Sequence, residues 1–295
     1  MNEFVNALTI DVEDYFQVSG FESDISRSEW THFECRVEQN TDRLLDLFAR
    51  HEVKATFFVL GWIADRYPQV VRRIYDGGHE IGSHSYWHRL VYQQSPDEFR
   101  DDLRRSRDVL EAIIGRPVTM YRAPSFSITK RSLWALPILV EEGIEVDSSV
   151  YPVVHDRYGI PGFPTVPHQV DTRSGPIWEA PPAVSKFASI HLPVGGGGYF
   201  RLLPVSLTSY FLKRFNRREA RGFTFYLHPW EVDAAQPRLS QGKAISRFRH
   251  YVNLAKTESK LDSLIAKFRF GPLGELVSQA DRQCGSTGDY RFQTA

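Results

Sequence analysis

The sequence predicts an α/β fold in which a parallel sheet is wrapped by helices, and three observations carry that expectation. Short apolar runs alternate with amphipathic helical segments through the first 150 residues, an order that a sheet covered on both faces satisfies. Apolar residues make up 42% of the 295-residue chain, with 20 Phe, 13 Tyr and 6 Trp, enough to fill a core. Polar clusters recur at the same end of the apolar runs, where barrel and open α/β folds place their chemistry.

The elements follow in order. ALTI (7–10) ends in acid and reads as a buried strand. TDRLLDLFARH (41–51) has helical apolar spacing, with Thr41 as its cap. KATFFVLGWIA (54–64) starts as a second buried strand. PQVVRRIYDGG (68–78) is a helix with Pro near its start and Gly at its end. HEIGSHS (79–85) is a third strand running into a loop. SPDEFRDDLRRSRDVLEAIIG (95–115) is a long amphipathic helix, with Ser95 and Glu98 forming a capping box and Gly115 stopping it. VTMYRAP (118–124) is strand four, KRSLWALPILVEEG (130–143) a helix and IEVDSSV (144–150) strand five. From 151 to 200, GIPGFP, APPAV and GGGGYF predict long loops and strands laid over one domain. The glycine run lacks the Lys-Ser/Thr of a phosphate loop and is expected as a mobile loop near the cleft. PVSLTSYFLKRFNRREARG (204–222) is a helix with a solvated basic face, FTFYLHPWE (223–231) a strand, and HYVNLAKTESKLDSLIAKF (250–268) one last helix.

Lys plus Arg equals Asp plus Glu at 36 each, which argues against nucleic acid and anionic membrane as general partners. The two cysteines, Cys35 and Cys284, have no CxxC company, so no disulfide framework is expected. MNEFVNALTIDVEDYF lacks a basic n-region and an apolar h-region. No run approaches the ~18 apolar residues of a membrane helix. A cytoplasmic location is the expectation.

The strand ends carry the chemistry. Asp11, Glu13 and Asp14 end strand one, His84 and His88 strand three, Arg122 strand four, Asp147 strand five and His228 the late strand. H-x-x-x-H alone is a weak signal, because spacing by four is common on helices. Two imidazoles with one carboxylate from strand one would form a metal set with positions open to water and substrate. Singly, DVED reads equally as a solvated turn, Arg122 as a salt-bridging residue and His228 as a satisfied half-buried histidine. Five clusters at the same strand ends argue together for a site.

TIDVED, HSYWH, RAPSFS, VDSS and YLH occur in that order over residues 9–228. They resemble the five motifs of the polysaccharide deacetylase family, carbohydrate esterase family four (NodB homology). GGHEIGSHSYWH is a close match to its histidine motif, and FYLHPWE with the tail FRHYVNLAKTESKLDSLIAKFRFGP resembles a branch with an extra C-terminal segment. That branch often accompanies exopolysaccharide biosynthesis and exosortase systems. The resemblance implies a distorted (β/α) barrel with fewer than eight strands. It implies one domain over 1–295, with 1–235 the barrel and 236–295 a helical extension packed on it.

It also implies metal-dependent removal of N-acetyl groups from amino sugars of a polysaccharide or its biosynthetic intermediate. Zinc is the expected ion, with cobalt or nickel as alternatives, and an acetylated glycan is the expected partner. By resemblance Asp11 is the catalytic base, His84 and His88 are metal ligands, and Arg122 orients the base. Asp147 tunes the catalytic histidine, His228 is the general acid and Leu227 lines the acetyl pocket. Tyr121, Pro124 and Trp230 join Leu227 as expected substrate contacts, with a backbone N–H near 121–125 polarising the carbonyl. One departure stands: relatives often have adjacent aspartates, whereas Val12 follows Asp11 here. The carboxylate ligand is then Glu13 if the strand stays extended, since Asp11 and Glu13 share a face, or Asp14 if the strand has turned. Tyr15, Phe16, Tyr86, Trp87, Phe126 and Trp230 flank the motifs and suit either sugar stacking or core packing. The competing readings are a small-molecule amide hydrolase of the allantoinase-like type and a non-catalytic glycan-binding protein.

Overall fold

The computed structural model describes residues 4–155, 157–187, 190–287 and 291–293. Its strands are β1 (Asn6–Val12), β2 (Thr56–Val59), β3 (Glu80–Ser83), β4 (Met120–Tyr121), β5 (Val146–Asp147), β6 (His168–Thr172), β7 (Gly175–Glu179), β8 (Val184–Phe187), β9 (Ile190–Pro193), β10 (Thr224–Leu227), β11 (Phe270–Gly271) and β12 (Arg291–Gln293). Its α-helices are α1 (Val37–Arg50), α2 (Gly61–Arg66), α3 (Pro68–Asp76), α4 (Pro96–Ile114), α5 (Ala135–Glu141), α6 (Gly197–Leu202), α7 (Val205–Glu219), α8 (Ala244–Tyr251), α9 (Leu254–Ile265) and α10 (Leu273–Thr287).

The strands β10-β1-β2-β3-β4-β5-β7 form a run of seven, every neighbouring pair parallel. Such a sheet must be covered on both faces, and all seven residues of β1 are buried accordingly. The sheet curls until its ends approach. Past β7 the chain returns to β10, where Ala183 N donates to the Thr224 carbonyl (3.0 Å) and Tyr226 N to the Gly195 carbonyl (2.7 Å). The result is the expected distorted barrel, closed by irregular backbone in place of an eighth strand. β6 adds antiparallel to β7, and β8 and β9 form a separate hairpin.

Several sequence expectations are corrected. Thr41 lies inside α1, which starts at Val37. Its cap comes from a distant loop: Asp14 Oδ2 accepts from Arg36 N (2.6 Å) and Val37 N (3.0 Å), a tertiary cap invisible to local spacing. The fourth and fifth strands shrink to two residues each, because Pro124 opens a 3-10 turn and Ser148 and Ser149 turn inward. The tail helix breaks at Asn253, in the left-handed region at φ 55°, into α8 and α9. GGGG is an ordered strap. Gly196 (φ +129°) lies so close to β10 that an added Cβ would meet the Tyr226 carbonyl at 1.8 Å, so only glycine fits. The Ser95–Glu98 box on α4 and Gly115 at φ 70° stand as expected.

The tail seals the end of the barrel where the strands begin. β11 pairs with Asn6 and Ala7. At the start of α10, Leu273 N donates to Thr56 Oγ1 (2.7 Å) and Gly274 N to Glu80 Oε2 (3.1 Å). The opposite, carboxyl end of the strands is left for the site. Among the described residues no helix is long and apolar enough to cross a membrane. Cys35 is a free thiol, and the Cys284 side chain lies outside the described residues.

Candidate active site

At the carboxyl end of the barrel lies a cavity of about 140 Å³ lined by Asp11, Glu13, Val18, His84, His88, Ser125, Phe126, Tyr158, Tyr226, His228 and Trp230. Asp11, on β1, and Glu13, just past it, share a face as period-two alternation requires. Glu13, His84 and His88 each offer a ligand atom, all within 4.8 Å of one another, and all three are buried. His84 and His88 do not sit on a helical turn. They flank a loop after β3 in which Ser85 (φ 65°) and His88 (φ 52°) are left-handed. The buried carboxylate of Asp102, on α4, holds that loop by accepting from Tyr86 N (2.7 Å) and Trp87 N (3.1 Å). Of the seven non-glycine residues with positive φ among the described residues, Ser85, His88, Ser125 and Phe126 lie at this site, where strain gathers when function over-determines the backbone.

The three groups could hold a cation. His84 Nδ1 donates to the Arg122 carbonyl (2.8 Å), so Nε2 keeps its lone pair. Burial pushes His84 down to about 4, which keeps it neutral. Burial alone would raise Glu13, but His88 and His228 outweigh it and hold the carboxylate at about 2. Glu13 Oε1 accepts from Trp230 Nε1 (3.2 Å), while Oε2 faces His88 Nε2 at 2.6 Å.

Asp14 does not join the cluster. Besides capping α1, it accepts from Tyr15 N (2.8 Å). Asp14→Ala is expected to strand these backbone donors and cost about 1–3 kcal/mol of stability, read by thermal unfolding. An unchanged melting temperature would contradict the capping role.

Asp11 is held by Arg122. Arg122 Nη1 donates to Asp11 Oδ1 (2.7 Å) and Thr9 Oγ1 (2.7 Å), Nη2 to Ser148 Oγ (2.7 Å) and Nε to the Ser148 carbonyl (3.1 Å). The guanidinium lies 4.3 Å over the Phe58 ring and is fully buried. Asp11 Oδ2 remains turned toward His228 Nε2, 3.9 Å away.

The partner of His228 corrects the expected role of Asp147. Asp147 lies opposite Glu179 in the β5–β7 register, and Ser149 Oγ donates to it. Burial raises both carboxyls, and the nearby Asp147 raises Glu179 further. His228 instead bonds Glu231: His228 Nδ1 donates to Glu231 Oε2 (2.8 Å), and Arg201 Nε donates to Glu231 Oε1 (2.6 Å). Burial would lower His228, but the Glu231 bond and charge, with Glu13 and Asp11, raise it to about 9. The signal was present in HPWE, where an acid three residues on reaches back across a helical turn. Nothing local in the sequence pointed to Arg201, Asp102 or Glu179.

The expected substrate contacts divide. Trp230 lines the cavity, stacked between His228 (5.2 Å) and His250 of α8 (4.2 Å). Tyr121, Pro124 and Leu227 are buried and absent from the lining. Of the flanking aromatics, Phe126 and Trp230 line the cavity, while Tyr15, Phe16 and Tyr86 pack in the core. Tyr158 and Tyr226 are lining residues the sequence did not single out.

The curled sheet matches the fold of solved structures at low identity. The fold resembles that of a Mycobacterium smegmatis protein assigned to the polysaccharide deacetylases, with a TM-score of 0.63 at 18% identity over 96% of this chain and 91% of that one. It also resembles the peptidoglycan deacetylase PdaC of Bacillus subtilis, with a TM-score of 0.50 at 16% identity over 96% and 95%. Residues 26–138 match the polysaccharide deacetylase model, and residues 148–278 match a domain of unknown function, DUF3473. Residues 26–138 thus carry a polysaccharide deacetylase domain, and the DUF3473 match forms its C-terminal extension. A peptidoglycan-N-acetylglucosamine deacetylase of Bacillus cereus is 36% identical over 96 residues, 32% of this chain and 35% of that protein. A peptidoglycan-N-acetylmuramic acid deacetylase, PdaA of Bacillus subtilis, is 33% identical over 84 residues, 28% of this chain and 32% of its own length. The match spans about a third of each of these relatives.

Proposed function

We propose that this protein hydrolyses the N-acetyl group of amino sugars in a polysaccharide or its biosynthetic intermediate, using a divalent ion held by Glu13, His84 and His88. The observation that carries the reading is the buried Glu–His–His cluster facing an arginine-held aspartate on one side and an acid-bound histidine on the other. Its donor set of two imidazoles and one carboxylate suits zinc, and also cobalt or nickel.

When bound, the ion supplies Lewis-acid polarisation of the acetamide carbonyl and acidifies a water. Asp11, aimed by Arg122, takes the proton of the attacking water. His228, protonated and fixed by Glu231, delivers a proton to the departing amine. Phe126, Tyr226 and Trp230 offer the acetyl group an apolar wall. The similarity to peptidoglycan deacetylases supports a glycan as the substrate. A small-amide hydrolase would use the same residues, so substrate choice separates the two readings.

Chelated protein is expected to release no acetate from N-acetylglucosamine oligomers or acetylated exopolysaccharide, and one equivalent of zinc, cobalt or nickel to restore release. Full acetate release after chelation, with metal absent by elemental analysis, would overturn the metal assignment. Turnover of small amides alone would replace the glycan by the smaller substrate.

A further inference from the structure

Beside the reaction cavity lies a second groove of about 300 Å³, lined by Tyr92, Thr129, Lys130, Arg131, His155, Arg157, Tyr158 and Gly159. Tyr158 lines both spaces. We propose that this groove binds an anionic group on the glycan next to the acetylated sugar, a carboxylate or a phosphate. The inference rests on the deacetylase reading and adds a substrate class to it.

The reaction cavity is well below the roughly 300–1,000 Å³ of sites that enclose a drug-sized ligand, so the rest of a glycan must run outside it. One exit is paved with rings. Phe126, at the cavity wall, meets Tyr158 edge-on at 6.3 Å. Tyr158 stacks on Tyr151 (5.6 Å, 18°) and on His155 (3.8 Å, 10°). Tyr151 is buried beneath this stack, and the His155 and Tyr158 rings border the groove, where an aromatic edge or face suits a sugar. The segment is pinned where it turns back. Ile160 N donates to the Tyr151 carbonyl (2.9 Å), and a Cβ on Gly159 (φ +101°) would meet the Val153 carbonyl at 2.3 Å.

The path also changes charge. The cavity holds the carboxylates Asp11 and Glu13. Among the described residues, the groove lining contributes the exposed cations Lys130, Arg131 and Arg157 and no acid. Asp156, between two lining residues, lies outside the described residues. In a chain with 36 charges of each sign, a local set of three cations beside an acidic cavity is a polarity. It would steer and orient an anionic chain while leaving a neutral acetamide free to enter.

The experiment compares three substrates: a neutral N-acetylglucosamine oligomer, an oligomer alternating N-acetylhexosamine with a uronic acid, and an N-acetylated sugar carrying a diphosphate. Initial rates of acetate release are measured for the metal-loaded protein and for a Lys130→Glu, Arg131→Glu, Arg157→Glu variant. The expected result is a kcat/KM at least about tenfold higher for one anionic substrate at low salt. The charge-reversed variant should raise KM for that substrate by about the same factor, with kcat and neutral-oligomer turnover unchanged. The uronate and diphosphate arms distinguish the source of the anion. Equal kcat/KM for neutral and anionic substrates, or an unchanged KM in the variant, would overturn the groove. If no substrate turns over, the deacetylase reading fails, and calorimetric binding of the same oligomers still decides the groove. Weaker anion binding in the variant supports it, and indistinguishable binding overturns it. A glutamine triple variant, with no added negative charge, checks that lost binding is not misfolding.

Discussion

Asp11→Asn is expected to lower kcat by about 10²–10⁴-fold with fold and metal content unchanged. Asn is isosteric with Asp and keeps an acceptor for Arg122 Nη1, so the four Arg122 contacts persist. What disappears is the basic oxygen Oδ2, the one turned into the cavity toward His228. KM should move little, because Asp11 contributes a proton acceptor and not a binding surface. Steady-state kinetics with circular dichroism and elemental analysis check the outcome. Turnover within a few-fold of the parent would remove Asp11 from the mechanism and leave water activation to another group.

Glu231→Gln is expected to lower kcat by about 10-fold to 10²-fold and to move the alkaline limb of the pH–rate profile downward. His228 must be protonated to act as an acid. Burial alone would lower its pKa, and the Glu231 bond and charge, with smaller help from Glu13 and Asp11, raise it to about 9. Removing the Glu231 charge removes the largest raising contribution, so the protonated fraction falls at lower pH than in the parent. The sign therefore requires a loss of activity from the alkaline side. The same substitution leaves the buried Arg201 without its anion, a situation that can cost about 3–5 kcal/mol. The double variant Glu231→Gln, Arg201→Gln restores charge balance and isolates the catalytic effect. An unshifted alkaline limb in the folded double variant would mean that Glu231 only shapes the loop.

Much of the barrel and the inner ring of the site was legible because both are written in local pattern. The apolar runs ending in Asp11, His84, Arg122 and His228 located the strand ends, whereas the choice between Glu13 and Asp14 stayed open because it turns on how far β1 remains extended. What stayed hidden depends on residues far apart in sequence. Asp14 caps a helix that begins 23 positions on. Glu179 meets Asp147 only through strand register, and Arg201 reaches Glu231 across 30 positions. The expectation that Asp147 tunes His228 failed for the same reason: proximity at a barrel mouth is set by how side chains turn, and motif order carries no such information. The GGGG run misled because glycine serves both mobility and close approach, and here Gly196 is pressed onto β10.

The position of β1 between early and late strands sets an order of assembly. β1 is made before every other strand of the sheet, yet Thr9 Oγ1 bonds the Phe225 carbonyl 216 residues away, and β11 comes later still. Such distant pairing makes closure slow and leaves an apolar strand edge open while the chain is being made. The three candidate ligands Glu13, His84 and His88 all precede His228 and Glu231 in the order of synthesis. An ion captured by the nascent N-terminal half would therefore be in place before the proton donor exists, and would tie β1 to the β3 loop while β10 is still being translated.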